Sequence, residues 1–130
     1  MSRSYARECA FKLVFEYSFN KVKDQELLSE ILEEDKNKAE VGYINEIYNG
    51  IISKYDQLLE EIKKYSTEFK IDRIYKVDLA ILLVALYEIL YVQSIPTNVS
   101  INEALNLAKA YSTENSSRFI NGILANFVGK

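Results

Sequence analysis

One stretch of the chain, Val77 to Val92, is apolar almost all the way round, and it constrains the fold more than any other segment. A helix without a polar face has to be wrapped on every side by partners. Only Asp78 and Glu88 interrupt the run. It is short for a bilayer span, which needs about 20 predominantly apolar residues. The stretch therefore reads as the central buried helix of a bundle. Ser94-Ile95-Pro96 closes it, because the residue before a proline is driven away from helical backbone angles.

The rest of the chain supplies the wrapping. From Ser4 to about Asn20, Ala6, Ala10, Leu13, Val14 and Tyr17 share one face, while Arg3 and Arg7, four apart, share another. A second helix runs from Asp24, a natural N-cap, to Glu34 and presents Leu27, Leu28, Ile31 and Leu32. Glu33 to Lys38 reads as a polar loop. From about Glu40 to Tyr65 the apolar stripe Val41, Ile44, Ile47, Tyr48, Ile51, Tyr55, Leu58, Ile62 predicts one long amphipathic helix. Gly50 sits inside it at a cost of about 1 kcal/mol against alanine. Residues 66–76 are ambiguous, with a short helix around Ile71 to Tyr75 as one reading.

One proline and four glycines leave too few turn formers for an all-β fold. No internal repeat or flexible linker divides the chain, so residues 1–130 read as a single all-α domain. Cys9 has no partner for an internal disulfide, and no signal-like apolar run opens the chain, which predicts a cytoplasmic protein. The net charge of −3 is unevenly spread. Residues 1–23 carry +3, residues 24–68 carry −7 and residues 69–130 carry +1. A basic patch can bind phosphate on an acidic molecule, because screening isolates exposed charges beyond about 8–10 Å.

The last third carries the most chemistry. Ser100 precedes Glu103 at capping-box spacing, and Ile101, Ala104, Leu105, Ala108 and Tyr111 follow at helical intervals. After a polar turn from Ser112 to Ser117, the stripe Phe119, Ile120, Ile123, Leu124, Phe127 predicts a last helix. Asn115, Ser116, Ser117 and Arg118 fall where helix-start N–H groups are free, a place to hold a phosphate.

Catalysis finds little support. The chain has no histidine, so the commonest general base and metal ligand is absent. Cys9 lies in the first amphipathic stripe as a small core residue, and no glycine-rich phosphate loop exists. Neither a cofactor nor a metal is expected, and the chain reads as a non-enzyme.

Several separated motifs then align with one family: Ala6-Arg7-Glu8-Cys9-Ala10, Ala80-Ile81-Leu82, Ala85-Leu86-Tyr87-Glu88, Ile95-Pro96, Val99-Ser100-Ile101-Asn102-Glu103-Ala104, Leu107-Ala108-Lys109 and Arg118-Phe119-Ile120-Asn121-Gly122-Ile123-Leu124. In order and spacing, over essentially the whole chain, this string resembles the NusB family of bacterial transcription antitermination factors. The resemblance implies a compact seven-helix, all-α fold of two helical subbundles. It also implies binding of boxA-type single-stranded RNA jointly with NusE, a ribosomal protein. The pair acts with other Nus factors on RNA polymerase, promoting ribosomal RNA transcription. A related domain fronts some RNA methyltransferases; no nucleotide-binding module is seen here.

Carried over by position, the resemblance implies an RNA surface of Arg3, Arg7, Asn115, Ser116, Arg118 and Phe119, and places Asp78 near the NusE interface. In physical terms arginines neutralise phosphate, Asn and Ser bond base or sugar edges, and an aromatic offers a stacking face. Phe119 also heads the last apolar stripe, so RNA stacking and core packing both remain open for it. Asp78 could equally be a helix-start carboxylate offsetting the dipole. Leu83 stands where many relatives have Arg, and Ser2, Ser4 and Tyr5 dilute the basic arm. The alternative is a protein-interaction or homodimeric helical bundle with a weakened RNA surface.

Overall fold

The computed structural model describes residues 2–34 and 40–129. It is built from α1 (Arg3–Asn20), α2 (Gln25–Glu34), α3 (Val41–Ser53), α4 (Tyr55–Tyr65), α5 (Lys76–Tyr91), α6 (Thr97–Tyr111) and α7 (Glu114–Leu124). Two 3-10 turns, Ile71–Arg73 and Ala125–Phe127, complete it, with no strand among the described residues. No described helix is long and apolar enough to cross a membrane.

The apolar run becomes α5, buried continuously from Asp78 to Glu88. It packs against α1, α3, α4, α6 and α7, as a helix without a polar face must. Two subbundles meet on it: α1 to α3 on one side, α4 to α7 on the other. In α1 the expected stripe Ala6, Ala10, Leu13, Val14, Tyr17 is buried, and Cys9 lies in the core beside it. Ser2 Oγ caps α1 by accepting from Tyr5 N (3.1 Å). Asp24 caps α2 through a bond from Leu27 N to its Oδ1 (2.9 Å). Glu33 and Glu34, read as loop, form the last turn of α2, while Asp35 to Lys38 lie outside the described residues.

Three expectations change. The long helix of residues 40–65 is two helices, because Lys54 leaves the helical region (φ −108, ψ 17). Lys54 N still donates to Gly50 O and Leu58 N to Lys54 O, both at 2.9 Å, so the apolar stripe passes through the break unaltered. The break brings the Tyr55 ring to 5.3 Å from Tyr17, and α4 packs on α5 through the stripe that continues at Leu58 and Ile62.

Ser100 is no capping residue either. Pro96 sets the start of α6, with Val99 N and Ser100 N donating to its carbonyl. Ser100 is left inside the helix, buried, its hydroxyl donating to Glu88 Oε1 (2.7 Å). Glu103, the other half of the supposed box, accepts from Ser4 Oγ (3.0 Å).

Gly50, finally, is required by packing. A Cβ built on it would lie 2.2 Å from both Cζ and Oη of Tyr87, so the missing side chain is what lets α3 approach α5. Gly50→Ala is expected to lose about 1–2 kcal/mol, overpacking outweighing the helix-propensity gain of about 1 kcal/mol. In a Tyr87→Ala background the same change should become stabilising. Urea melts of the four-member cycle check both signs.

Candidate nucleic-acid interface

The polar turn between α6 and α7 is organised by hydroxyls. Thr113 caps α7, its Oγ1 accepting from Ser116 N (3.0 Å). Ser116 Oγ bonds Ser112 Oγ (2.8 Å) and approaches Thr113 Oγ1 (3.0 Å). Ser112 Oγ in turn donates to Asp78 Oδ1 (2.6 Å), in the first turn of α5. The chain Asp78–Ser112–Ser116–Thr113 therefore pins the start of α7 to the start of α5. Asp78 and Ser116 are both buried, so neither presents its polar group outward as expected. The partner that the Asp78 carboxylate calls for is an internal hydroxyl.

Asn115 and Arg118 lie one helical turn apart on the exposed face above this cluster, with Arg118 Nη2 donating to Asn115 Oδ1 (2.7 Å). They form one lip of a groove of about 850 Å³ between α7 and residues 65–75. Asp78 and Ser116 lie in its lining, and Phe119 lines it too. The two readings of Phe119 meet in one position. The ring is half-buried against the core, and its contact with Phe69 is edge-on at 5.4 Å between centroids.

The opposite wall was not singled out by the sequence. It is built from Phe69, Arg73 and Tyr75, held in place by the 3-10 turn Ile71–Arg73 and by buried Ile74. A narrower charge window finds it. Lys63, Lys64, Lys70, Arg73 and Lys76 outnumber Glu68 and Asp72, with Tyr65, Phe69 and Tyr75 interleaved. Basic residues alternating with aromatics are the composition of a single-strand binding surface.

Arg7 requires a correction. The residue is 3% exposed and belongs to the core rather than to an RNA surface. Nε donates to Glu88 Oε2 (2.7 Å) and Nη2 to Oε1 (3.1 Å), a two-pronged pair, and Nη1 lies 3.6 Å from Glu103 Oε2. Glu88 also accepts from Tyr43 Oη and Ser100 Oγ. Burial, with the Glu88 charge alongside, pushes the Tyr43 phenol well above its ordinary range, so it stays a neutral donor. Arg3 remains half-exposed, but its guanidinium pairs with Glu40 and lies over the Tyr43 ring (4.3 Å to the centroid). Neither arginine lines the groove. Asn115, Arg118 and Phe119 thus come together, with Ser116 and Asp78 beneath, whereas Arg3 and Arg7 stand apart.

Comparison with known proteins agrees with this architecture. The model of the NusB family matches residues 4–129. A protein of Clostridium novyi (strain NT), "Transcription antitermination protein NusB", is 42% identical over 131 residues, spanning 98% of each chain. A solved structure, "T. maritima NusB", superposes with a TM-score of 0.90 at 33% identity, covering 100% of this chain and 92% of that one. A second, described as antitermination factors NusB and NusE in complex with dsRNA, reaches 0.84 at 24% identity, covering 96% and 94%, and speaks for the fold alone.

Truncating one member of the buried pair leaves the other buried charge without its two-pronged partner. Glu88→Ala is therefore expected to lose about 3–5 kcal/mol in urea denaturation, and Arg7→Ala a similar amount. The double variant should lose less than the sum of the two. Additive losses would show that the pair is not coupled.

Proposed function

The chain belongs to the NusB family, and from that premise we propose that it is a transcription antitermination factor. It binds boxA-type single-stranded RNA together with NusE, as part of a Nus-factor complex on RNA polymerase, and so promotes ribosomal RNA transcription. It is a binding adaptor in the cytoplasm, with no chemical step of its own. The observation that carries the reading is the lip of the groove: an exposed arginine, an amide and a half-buried aromatic converge on one cleft. Arg118 meets phosphate, Asn115 bonds base or sugar edges, and Phe119 offers a ring face. Asp78 and Ser116 serve by holding this lip against α5. Arg3 lies apart from the groove, and it reaches RNA only where a strand extends beyond the groove.

A protein partner also has a place to sit. At the end of α1, Phe19 is 61% exposed, with the Lys76 ammonium 5.8 Å from its ring centre, and Val22 is equally open. Exposed apolar groups beside a cation suit a protein contact. We assign this face to NusE, next to the Asp78 end of α5. The same patch favours the second reading, a protein-interaction or homodimeric helical bundle with a weakened RNA surface.

The test is titration of boxA-type and scrambled single strands, with and without NusE. Selective binding that NusE strengthens is expected. Neutralising about three phosphates gives a log–log salt slope of about −2. Equal affinity for the scrambled strand in the presence of NusE would overturn the proposal. A sedimenting dimer that shifts no RNA would select the second reading. Arg118→Ala should weaken RNA binding about tenfold, the scale of one charge-assisted hydrogen bond. Its melting temperature should stay within about 1–2 °C, because the side chain is exposed.

A further inference from the structure

We infer that residues 65–75 form a second, sequence-tolerant RNA-binding wall, with Arg73 holding phosphate and Tyr75 stacking on an unpaired base. The inference rests on the RNA-binding reading above and extends it to residues that the family resemblance did not mark.

Three observations carry it. First, the groove is two-sided. Arg73 and Tyr75 line it opposite Arg118 and Asn115, so a strand lying in it passes between an arginine on each side. Second, the segment that carries this wall is basic in sequence, and Arg73 is its basic group in the groove lining, beside a single acid, Glu68. Residues 63–76 hold five basic and two acidic groups in a chain whose net charge is −3. Arg7 and Arg3, the other candidates for phosphate, are engaged by Glu88 and Glu40. Third, the aromatics are placed for nucleobases. Tyr75 is 68% exposed although it borders a helix buried on all sides, and Phe69 is also open. Exposed rings that share a groove with a guanidinium suit bases that are not already stacked in a duplex, which selects a single strand.

The local backbone explains the presentation. Arg73 N donates to Lys70 O (2.8 Å), closing the 3-10 turn, and buried Ile74 anchors the segment between the two outward-facing residues. Alternation of out, in, out at Arg73, Ile74 and Tyr75 is what places charge and ring on the same side of the chain. Stacking and phosphate contacts carry little base information, so this wall supplies affinity, while the amide of Asn115 across the groove supplies selectivity.

The experiment is fluorescence anisotropy on the full chain with NusE, using a labelled boxA-type strand and a scrambled strand of equal length. Tyr75→Ala should weaken both RNAs about 5- to 150-fold, the span of one base–aromatic stack. Arg73→Ala should also weaken both, and make the salt slope less negative by about 0.7. Both side chains are exposed, so thermal melts should match the unmodified chain. If both variants bind RNA normally while Arg118→Ala does not, the second wall is wrong and the antitermination reading stands. If they lose NusE but keep their RNA affinity measured without it, the wall belongs to the protein partner and the inference fails. If the unmodified chain binds neither strand, both readings fall together.

Discussion

The buried pair between Arg7 and Glu88 is the interaction on which the arrangement of the two subbundles depends. Moving two charges out of water is costly, and a buried ion pair persists only when the remaining hydrogen-bonding capacity is satisfied. Here the Glu88 carboxylate takes two bonds from Arg7, one from Tyr43 and one from Ser100, so α1, α3 and α6 all converge on one residue of α5. Apolar contacts alone would let α1 slide along α5 at modest cost. A carboxylate that needs donors from three directions does not allow such sliding. The pair acts as a register pin, and its value lies in specificity more than in net stability.

The groove inherits that register. Once α5 is fixed along α1, its first turn places Asp78 under the α6–α7 connection, where the hydroxyls of Ser112 and Ser116 finish the alignment. Two polar clusters near opposite ends of one apolar helix thus do different work. One sits around Glu88 and holds the subbundles together; the other, around Asp78, positions the lip of the groove. The two interruptions in an otherwise continuous hydrophobic run are the two places where that helix is told what to bind.

How legible this was depends on the range over which each signal acts. α5 and the stripe of α1 could be read directly, because burial on one or all faces writes itself into spacing. Asp24 as a cap was equally local. Arg7 misled because its partner lies 81 residues away, and a basic residue four positions from Arg3 reads the same whether it meets water or a carboxylate. Ser100 misled because a serine three residues before a glutamate is also common inside helices. The break at Lys54 left no trace, since the stripe continues across it in phase. The wall of Phe69, Arg73 and Tyr75 was hidden by summing charge over 24–68 and 69–130, which cuts the basic, aromatic stretch in two.

The edge-on contact of Phe69 with Phe119, and the similar one between Tyr65 and Phe127, say something about how the groove is filled. No backbone hydrogen bond of residues 65–75 crosses to α7; those of the segment stay within itself or with its flanking helices. The walls are joined by ring edges, each contact worth about 0.5–1.5 kcal/mol. The groove opens to solvent at exposed Arg73, Tyr75, Asn115 and Arg118, so the RNA proposed above is laid in sideways, with no free end to thread.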